Sequence, residues 1–259
     1  MSWKKLNEYT DMWEKPALGT EDQKDGVKFM ALTIDSKSKN PHRGVARQII
    51  YRQGSPDVPG YIDISKLVIV ESNDLLSWKV VNDLKIIGIK EIIDSLGGKD
   101  KNFIGLEDPD IFIDENGKRH IYFTIAFRYK NVDTLHEEYN NIYLGHAEGE
   151  DLDNMVATEP VLKKIDSEIV GFKEVCPSIK NGNGKKFILT ETFFNRSDNV
   201  EYSAISLIET NFLSDKWHYK RIIHDPFHET KHWCMEHSSP CRIFLVFSKS
   251  QRLSIALCN

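Results

Sequence analysis

The sequence has few cysteines and no long hydrophobic run. Only four of its 259 residues are cysteine, unevenly placed at Cys176, Cys234, Cys241 and Cys258. So few thiols without regular spacing are typical of reduced cysteines in a cytoplasmic protein rather than of a disulfide framework. No apolar run approaches the roughly 20 residues that a membrane-spanning helix needs, and the first residues lack the apolar stretch of a signal peptide. We therefore expect a cytoplasmic protein with no membrane partner.

The sequence also lacks an excess of positive charge. Its formal net charge is −5 at pH 7, its pI is about 6.0, and its lysines and arginines are scattered among the acids. Nucleic acid is not expected as a partner, because phosphate binding needs a basic surface. The length, with 40% hydrophobic and 28% charged residues, suits one large domain or two small ones. We interpret 1–259 as a single domain with a charged lead-in segment at 1–26.

The stretch 105–114 holds the most distinctive pattern. Two adjacent acids, Glu107 and Asp108, precede a proline and an apolar run, and an Asn-Gly pair then leads into a second apolar run. Asn-Gly between two apolar runs is a strong hairpin signal, because both turn positions need positive φ. The pattern therefore places the acidic pair in the loop that enters a β-hairpin. Carboxylates there suit acid–base chemistry, and they also suit a turn in which Asp108 accepts hydrogen bonds from backbone N–H groups.

Short runs of apolar and β-branched residues, separated by turn residues, recur along the rest of the chain. We predict strands from these runs at 27–34, 45–52, 67–71, 141–147, 176–179, 186–192, 202–209 and 218–223. The run 84–96 is compatible with a strand or with a short helix. Because almost no segment has sustained helical periodicity, the predicted fold class is all-β.

Proline-marked strand entrances recur at nearly regular spacing. Successive intervals of 68, 68 and 63 residues separate Pro41, Pro109, Pro177 and Pro240. A second marker recurs at a similar spacing. It is a polar turn with Leu shortly before Trp or Met, at Leu75–Trp78, Leu152–Met155 and Leu213–Trp217. A unit of this length holds about four strands, which is typical of a β-propeller blade. Only 19 residues follow Pro240, so either the final blade, at 241–259, is incomplete or residues before Pro41 complete the ring.

Several of these stretches resemble the five-bladed β-propeller glycosidases. Gly105–Ile111, followed by an acidic-Gly turn and an aromatic strand, resembles the Glu-Asp-Pro-Arg signature of glycoside hydrolase family 130, which has relatives in families 43, 32 and 68. Tyr51-Arg52 and the turn Ser72–Trp78 resemble that group's Arg-bearing strand and its Ser-x-Asp-Leu-x-x-Trp turn. Lys173–Ile179 resembles its later proline-marked blade entrance. Asp110 stands where family 130 usually has Arg, which leans toward family 43.

The resemblance implies an enzyme that cleaves a glycosidic bond in β-mannosides or related oligosaccharides, by phosphorolysis or by inverting hydrolysis. It implies that Asp108 is the general acid, and Glu107 beside it would raise the pKa of that acid through like-charge repulsion. Inverting hydrolysis needs a second carboxylate about 6.5–9.5 Å away. The candidates are Glu174 and Glu191.

No cofactor is expected, although inorganic phosphate would be the co-substrate of a phosphorylase. Phosphate would need cations to hold it, and the candidates are Arg43, Arg47, Arg52, Arg128 and Lys173, with His237 as a further donor. The residues expected to contact an oligosaccharide are Arg52, Glu107, Arg128, Lys173 and His237. The alternative functions are a family 43-like glycosidase acting on arabinan or xylan, and a non-catalytic glycan-binding propeller. The sequence leaves the oligomeric state open.

A metal-binding pattern competes with this interpretation. His228–His232 matches His-Glu-x-x-His, in which two histidines one helical turn apart bind zinc, and Cys234, His237 and Cys241 follow closely. The pattern needs a helix, but Asp225-Pro226 precedes it and no amphipathic continuation follows. We therefore do not expect a metalloprotease, predict no metal ligand among the site residues and interpret this stretch as the loop that enters the last blade, with a structural or adventitious metal site as the alternative.

Overall fold

The computed structural model of the protein describes residues 28–53, 62–129, 141–159, 162, 168–177, 186–195, 201–214, 217–225, 244–247 and 253–256. The predicted lead-in segment, the His228–His232 pattern and His237 lie outside the described residues. Within these ranges, no helix has the length and apolar character needed to cross a membrane.

The described residues are nearly all strand. The strands are β1 Lys28–Asp35, β2 His42–Gln53, β3 Ile62–Ser72, β4 Lys79–Asp83, β5 Ile86–Ile87, β6 Lys101–Ile113, β7 Arg119–Tyr129, β8 Asn141–Gly149, β9 Met155–Ala157, β10 Ile169–Pro177, β11 Lys186–Asn195, β12 Glu201–Thr210, β13 His218–His224, β14 Phe244–Phe247 and β15 Leu253–Ala256, and one helix, α1, spans Ile89–Gly97. The ambiguous run 84–96 thus contains both a short strand and a helix. Ile89, Ile92, Ile93 and Leu96 of this helix pack on the apolar core at the spacing of one helical face.

The strands form repeated antiparallel meanders of four. The first meander is β1–β4, the second is β6–β9 and the third is β10–β13. Gly105 of β6 bridges in parallel to Ser65 of β3 and so joins the first two meanders. A Cβ added at Gly105 would lie 2.5 Å from the Ser65 carbonyl oxygen, so only glycine permits this close approach. Strands β14 and β15 form a separate two-stranded sheet in the predicted short final blade.

The meanders pack face to face through β7. Because successive side chains of a strand point to opposite faces, Ile121, Phe123 and Ile125 join the core that includes Val45, Leu67 and Ile69 of the first meander. Tyr122, on the other face, joins the core that includes Phe172, Ile188 and Trp217 of the third meander. Stacked four-stranded antiparallel sheets are the architecture of a propeller, and the all-β propeller prediction is confirmed.

The Leu-to-Trp or Leu-to-Met turns mark the same place in each meander. Trp78, Met155 and Trp217 stand directly at or before the fourth strands β4, β9 and β13. All three side chains are buried. This second sequence marker therefore follows the real repeat.

The proline marker does not follow the repeat, and its interpretation as a set of strand entrances is wrong. Pro41 precedes a second strand, Pro109 lies inside a first strand, and Pro177 ends another first strand. Pro109 is tolerated within β6 because Asp108 and Pro109 have no partner in the β6–β7 register, so the missing N–H of proline breaks no ladder hydrogen bond. Pro240 lies outside the described residues.

Candidate active site

The first strands of the three meanders share one backbone irregularity. β1, β6 and β10 each contain one residue other than glycine with positive φ, namely Ala31 at 51°, Asp108 at 45° and Glu174 at 48°. The pairing register shifts at the same positions. Positive φ is uncommon for residues other than glycine, and bulges of this kind re-aim side chains beside active sites. Strand β6 lies between β1 and β10, so the three bulges occur on neighbouring strands.

The observed location of the acidic pair differs from the predicted one. Glu107 and Asp108 lie inside β6, not in a loop that enters a hairpin. The strand continues past them to Ile113. Within it, the Ile111 N–H donates a hydrogen bond to Thr33 Oγ1 of β1 at 3.1 Å. A rigid strand held on both sides therefore presents Asp108.

Arg47 holds both acids of the pair. Its Nη2 donates to Glu107 Oε1 at 2.7 Å, its Nη1 to Asp108 Oδ1 at 3.1 Å and its Nε to Ser65 Oγ at 2.9 Å. Among the residues predicted from the sequence, Arg47 stands only with the cations for phosphate. A stronger signal was available, because Arg47 stands between Val45 and Ile49 on a face of β2 that is otherwise buried and apolar, and a buried arginine requires acidic partners.

Glu107 has a strongly raised pKa. Burial raises the pKa of Glu107 to about 7; Arg47 opposes this increase, and the charge of Asp108 adds to it. The like-charge repulsion predicted from the sequence therefore acts on Glu107.

Lys173 lies among the remaining carboxyl groups. Its Nζ is 3.5 Å from Glu191 Oε2 and 3.9 Å from Glu174 Oε1. Burial lowers the pKa of Lys173, but the charges of Glu191, Asp108, Glu174 and Glu107 outweigh that effect and leave the pKa raised. Lys173 is therefore a permanent cation that interacts with carboxyl groups of both β6 and the third meander.

Glu174 and Glu191 differ in exposure. Glu174 occupies the β10 bulge with 27% of its side chain exposed, whereas the side chain of Glu191 is completely buried. Glu191 lies opposite Lys173 in the β10–β11 register. Since a water nucleophile must reach its base, Glu174 is the better placed of the two candidates.

Of the other predicted site residues, Arg52 lies beside the carboxyl groups that surround Glu107. Arg52 donates to both oxygens of Asp63 at 2.6 and 2.5 Å, and the charge of Asp63 raises the pKa of Glu107. Arg128 lies on β7 opposite Asn102 of β6. We use the name carboxyl cluster for Asp63, Glu107, Asp108, Glu174 and Glu191 together with Arg47, Arg52 and Lys173.

Arg43 does not belong to the carboxyl cluster. Its guanidinium contacts Asp153 at 2.7 Å and Glu71 at 3.4 Å. Its expected role in holding phosphate is not supported by these contacts.

We predict that Glu107→Gln changes the pH dependence of stability. Because the folded-state pKa of about 7 lies above the ordinary glutamate value of 4.5, the folded protein binds more protons than the unfolded chain between these pH values. The free energy of unfolding therefore falls as pH rises through this window, by about 3 kcal/mol for this one group. Glutamine removes this contribution, so the variant gains stability relative to the parent as pH rises, measured by urea unfolding at about pH 4.5, 6 and 8.

The matched control for this experiment is Glu91→Gln, which changes an exposed acid on α1. The difference in stability between this variant and the parent should stay nearly constant over the same pH range. If Glu107→Gln also shows a constant difference, the raised pKa of Glu107 is refuted.

The carboxyl cluster contains acids that can gain or lose protons. It also contains cations that already contact carboxylates. Five carboxyl groups face three cations, and Arg47, Arg52 and Lys173 each lie within 3.9 Å of a carboxylate. Such a surplus of carboxyl groups suits acid–base chemistry on a neutral substrate. It disfavours the binding of a phosphate dianion, because phosphate would have to displace carboxylates from every one of these cations.

Comparisons with known proteins agree with the fold. No protein-family model matches the sequence, and no curated protein matches it. Among solved structures, it is similar to Zg3597, a family 117 glycoside hydrolase produced by the marine bacterium Zobellia galactanivorans, with 12% identity over 94% of this chain and 70% of that chain and a TM-score of 0.57. A second structure, described as a glycoside hydrolase, has 10% identity over 90% of this chain and 68% of that chain, with a TM-score of 0.53.

A further solved structure has a lower TM-score. A structure described with the GH130 family of mannoside phosphorylases shares 15% identity over 74% of this chain and 48% of that chain, with a TM-score of 0.45. At identities this low, the comparisons show a propeller fold that is shared with glycoside hydrolases. The family 130 resemblance is one among several.

Proposed function

We propose that the protein is a carbohydrate-active enzyme that cleaves a glycosidic bond at the carboxyl cluster. The observation that carries this proposal is the pair of bulges on neighbouring first strands, which present Asp108 and Glu174 as partly exposed carboxyl groups. Two carboxyl groups in differing environments are what glycoside hydrolysis requires. The fold shared with glycoside hydrolases supports the same class of reaction.

We propose inverting hydrolysis, with Asp108 as the general acid and Glu174 as the base that activates water. Burial raises the pKa of Glu107 to about 7, and Arg47 donates to both Glu107 and Asp108. In the proposed step, Asp108 transfers a proton to the glycosidic oxygen as the C–O bond breaks, Glu174 accepts a proton from the attacking water, and exchange with solvent restores both groups. Glu191 positions Lys173, which lies between the two halves of the site.

Water is a better acceptor than phosphate for this site. Phosphorolysis needs cations that are available to phosphate, and the three cations of the carboxyl cluster already contact carboxylates. We propose β-mannosides or related oligosaccharides as the first substrates to test, on the strength of the Glu107-Asp108-Pro109 motif.

The second candidate function is a glycan-binding propeller without turnover. One observation favours it, because the β1 bulge holds Ala31, where the β6 and β10 bulges hold acids. Such a protein would retain polar contacts for a sugar but lack one of three converging side chains.

The experiment is an activity screen of the purified chain on aryl glycosides and manno-oligosaccharides, with and without inorganic phosphate. We expect hydrolysis that does not depend on phosphate and a first product of inverted anomeric configuration, observed by proton NMR. Products that require phosphate would contradict the choice of water, and sugar binding without any product would favour the glycan-binding candidate.

A further inference from the structure

Two buried histidines and a glutamate form a group that uses no residue of the carboxyl cluster. His120 lies on β7, and His146 and Glu148 lie on β8. His120 pairs with Glu148 and Tyr122 with His146 in the β7–β8 register, so these side chains share one face of the sheet. The side chains of His120, His146 and Glu148 each offer one ligand atom. These three atoms lie within 4.8 Å of one another.

The distances in this group fit a bound metal ion. His120 Nδ1 lies 3.0 Å from His146 Nε2 and 3.8 Å from Glu148 Oε2. Tetrahedral zinc with imidazole ligands at about 2.0–2.1 Å separates the ligand nitrogens by roughly 3.3 Å. A shift of a few tenths of an ångström would therefore admit the ion between the two rings.

The second nitrogen of each imidazole faces an oxygen. His146 Nδ1 lies 2.9 Å from Thr158 Oγ1, and His120 Nε2 lies 3.7 Å from Asp114 Oδ2. Histidines that bind metals almost always direct their other N–H at a carboxylate, carbonyl or water, which fixes the tautomer and the ring orientation. His146 thus has the outer contact expected of a metal ligand, and the counterpart for His120 is the Asp114 carboxylate, 3.7 Å away.

One buried ring nitrogen of this group has no hydrogen-bond partner. His120 Nδ1 and His146 Nε2 face each other at 3.0 Å, so one of them donates and the other accepts. His120 Nε2 is buried and makes no hydrogen bond.

Glu148 supplies the carboxylate of the group. Lys118 contacts Glu148 Oε1 at 2.5 Å, which leaves Oε2, 3.8 Å from His120 Nδ1, for a ligand.

We propose that His120, His146 and Glu148 bind a divalent transition-metal ion, with Zn²⁺ as the best match. Two imidazoles and one carboxylate are a ligand set that zinc accepts, with water in the fourth position. A metal held by His120 Nδ1 and His146 Nε2 lets each ring keep its proton on the other nitrogen. His120 Nε2–H is then directed toward Asp114 Oδ2, which lies 3.7 Å away. The ion would clamp β7 to β8 and stabilise the second meander.

The test measures zinc binding to the full chain after chelator treatment, by calorimetric titration at about pH 7.5. We expect one zinc ion per chain, a higher Tm in its presence, and a visible absorption band of tetrahedral form when Co²⁺ replaces zinc. His146→Ala should weaken zinc binding by about 100-fold or more, and Asp114→Asn by about 10-fold or more. Glu148→Gln gives the same binding readout if His146→Ala does not fold.

Two controls separate this site from other histidines. His218→Ala, at an exposed position of β13, should leave zinc binding unchanged. The double variant His228→Ala/His232→Ala removes the His-Glu-x-x-His pattern and should also leave it unchanged. Binding lost in the double variant but retained in His146→Ala would overturn the proposal, as would a chain that binds no zinc.

Discussion

Asp108→Asn is expected to reduce hydrolysis of natural oligosaccharides by about 10²–10⁴-fold, the usual contribution of a general acid. Asparagine retains the shape of the side chain and an oxygen that can accept from Arg47 Nη1, which now donates to Asp108 at 3.1 Å. It cannot deliver a proton to the glycosidic oxygen. The loss should therefore fall on kcat, with the fold and the binding of substrate nearly unchanged.

The leaving group distinguishes an acid from a positioning residue. An aryl glycoside whose phenol is already a good leaving group needs no protonation, so Asp108→Asn should retain most of its activity on that substrate. Glu174→Gln should lose activity on both kinds of substrate, because the activated water is needed in each case. Added azide should restore turnover to Glu174→Gln by replacing that water as the nucleophile.

The matched control is Asp83→Asn, which changes an exposed acid paired with Lys66 at 2.6 Å and should leave kcat unchanged. Glu107→Gln tests the roles within the pair. If it shows the strong dependence on the leaving group and Asp108→Asn does not, the acid is Glu107 and the assignment of Asp108 is wrong.

The sequence predicted those parts of the fold that depend on local pattern. The strand predicted at 45–52 corresponds to β2, and the polar turn before Trp78 leads into a fourth strand. The turn before Trp78 could be predicted because its contacts are local. The backbone N–H groups of Leu75 and Leu76 donate to the side chains of Ser72 and Asp74. Such contacts lie within a few residues, so the sequence carries them directly.

The geometry of the candidate site could not be predicted in the same way. The bulge at Asp108 places a residue other than glycine at positive φ, against its local preference, and only the packing of β6 between its neighbours holds it there. The contacts of Arg47 with Glu107 and Asp108 span about sixty residues of sequence. His120 and His146 meet only through the β7–β8 register, which the sequence does not specify residue by residue.

Arg47→Met is expected to cost about 3–5 kcal/mol of stability near pH 8, because it leaves two largely buried carboxyl groups without their cation. Methionine fills much of the space, so the loss reports charge rather than a cavity. The cost should be smaller near pH 5, since Glu107, whose pKa burial already raises to about 7, then takes up a proton. Urea unfolding at the two pH values measures both quantities.

The same strand supplies the control for Arg47. Arg43 also contacts two carboxylates, but its partner Asp153 is half exposed, and exposed ion pairs contribute about 1 kcal/mol or less. Arg43→Met should therefore cost little at either pH. Combining Arg47→Met with Glu107→Gln and Asp108→Asn should recover most of the lost stability, because neutral side chains no longer need the guanidinium. A loss that is equal at both pH values and is not recovered in the triple variant would mean that Arg47 acts through packing, and that the paired acids do not depend on its charge.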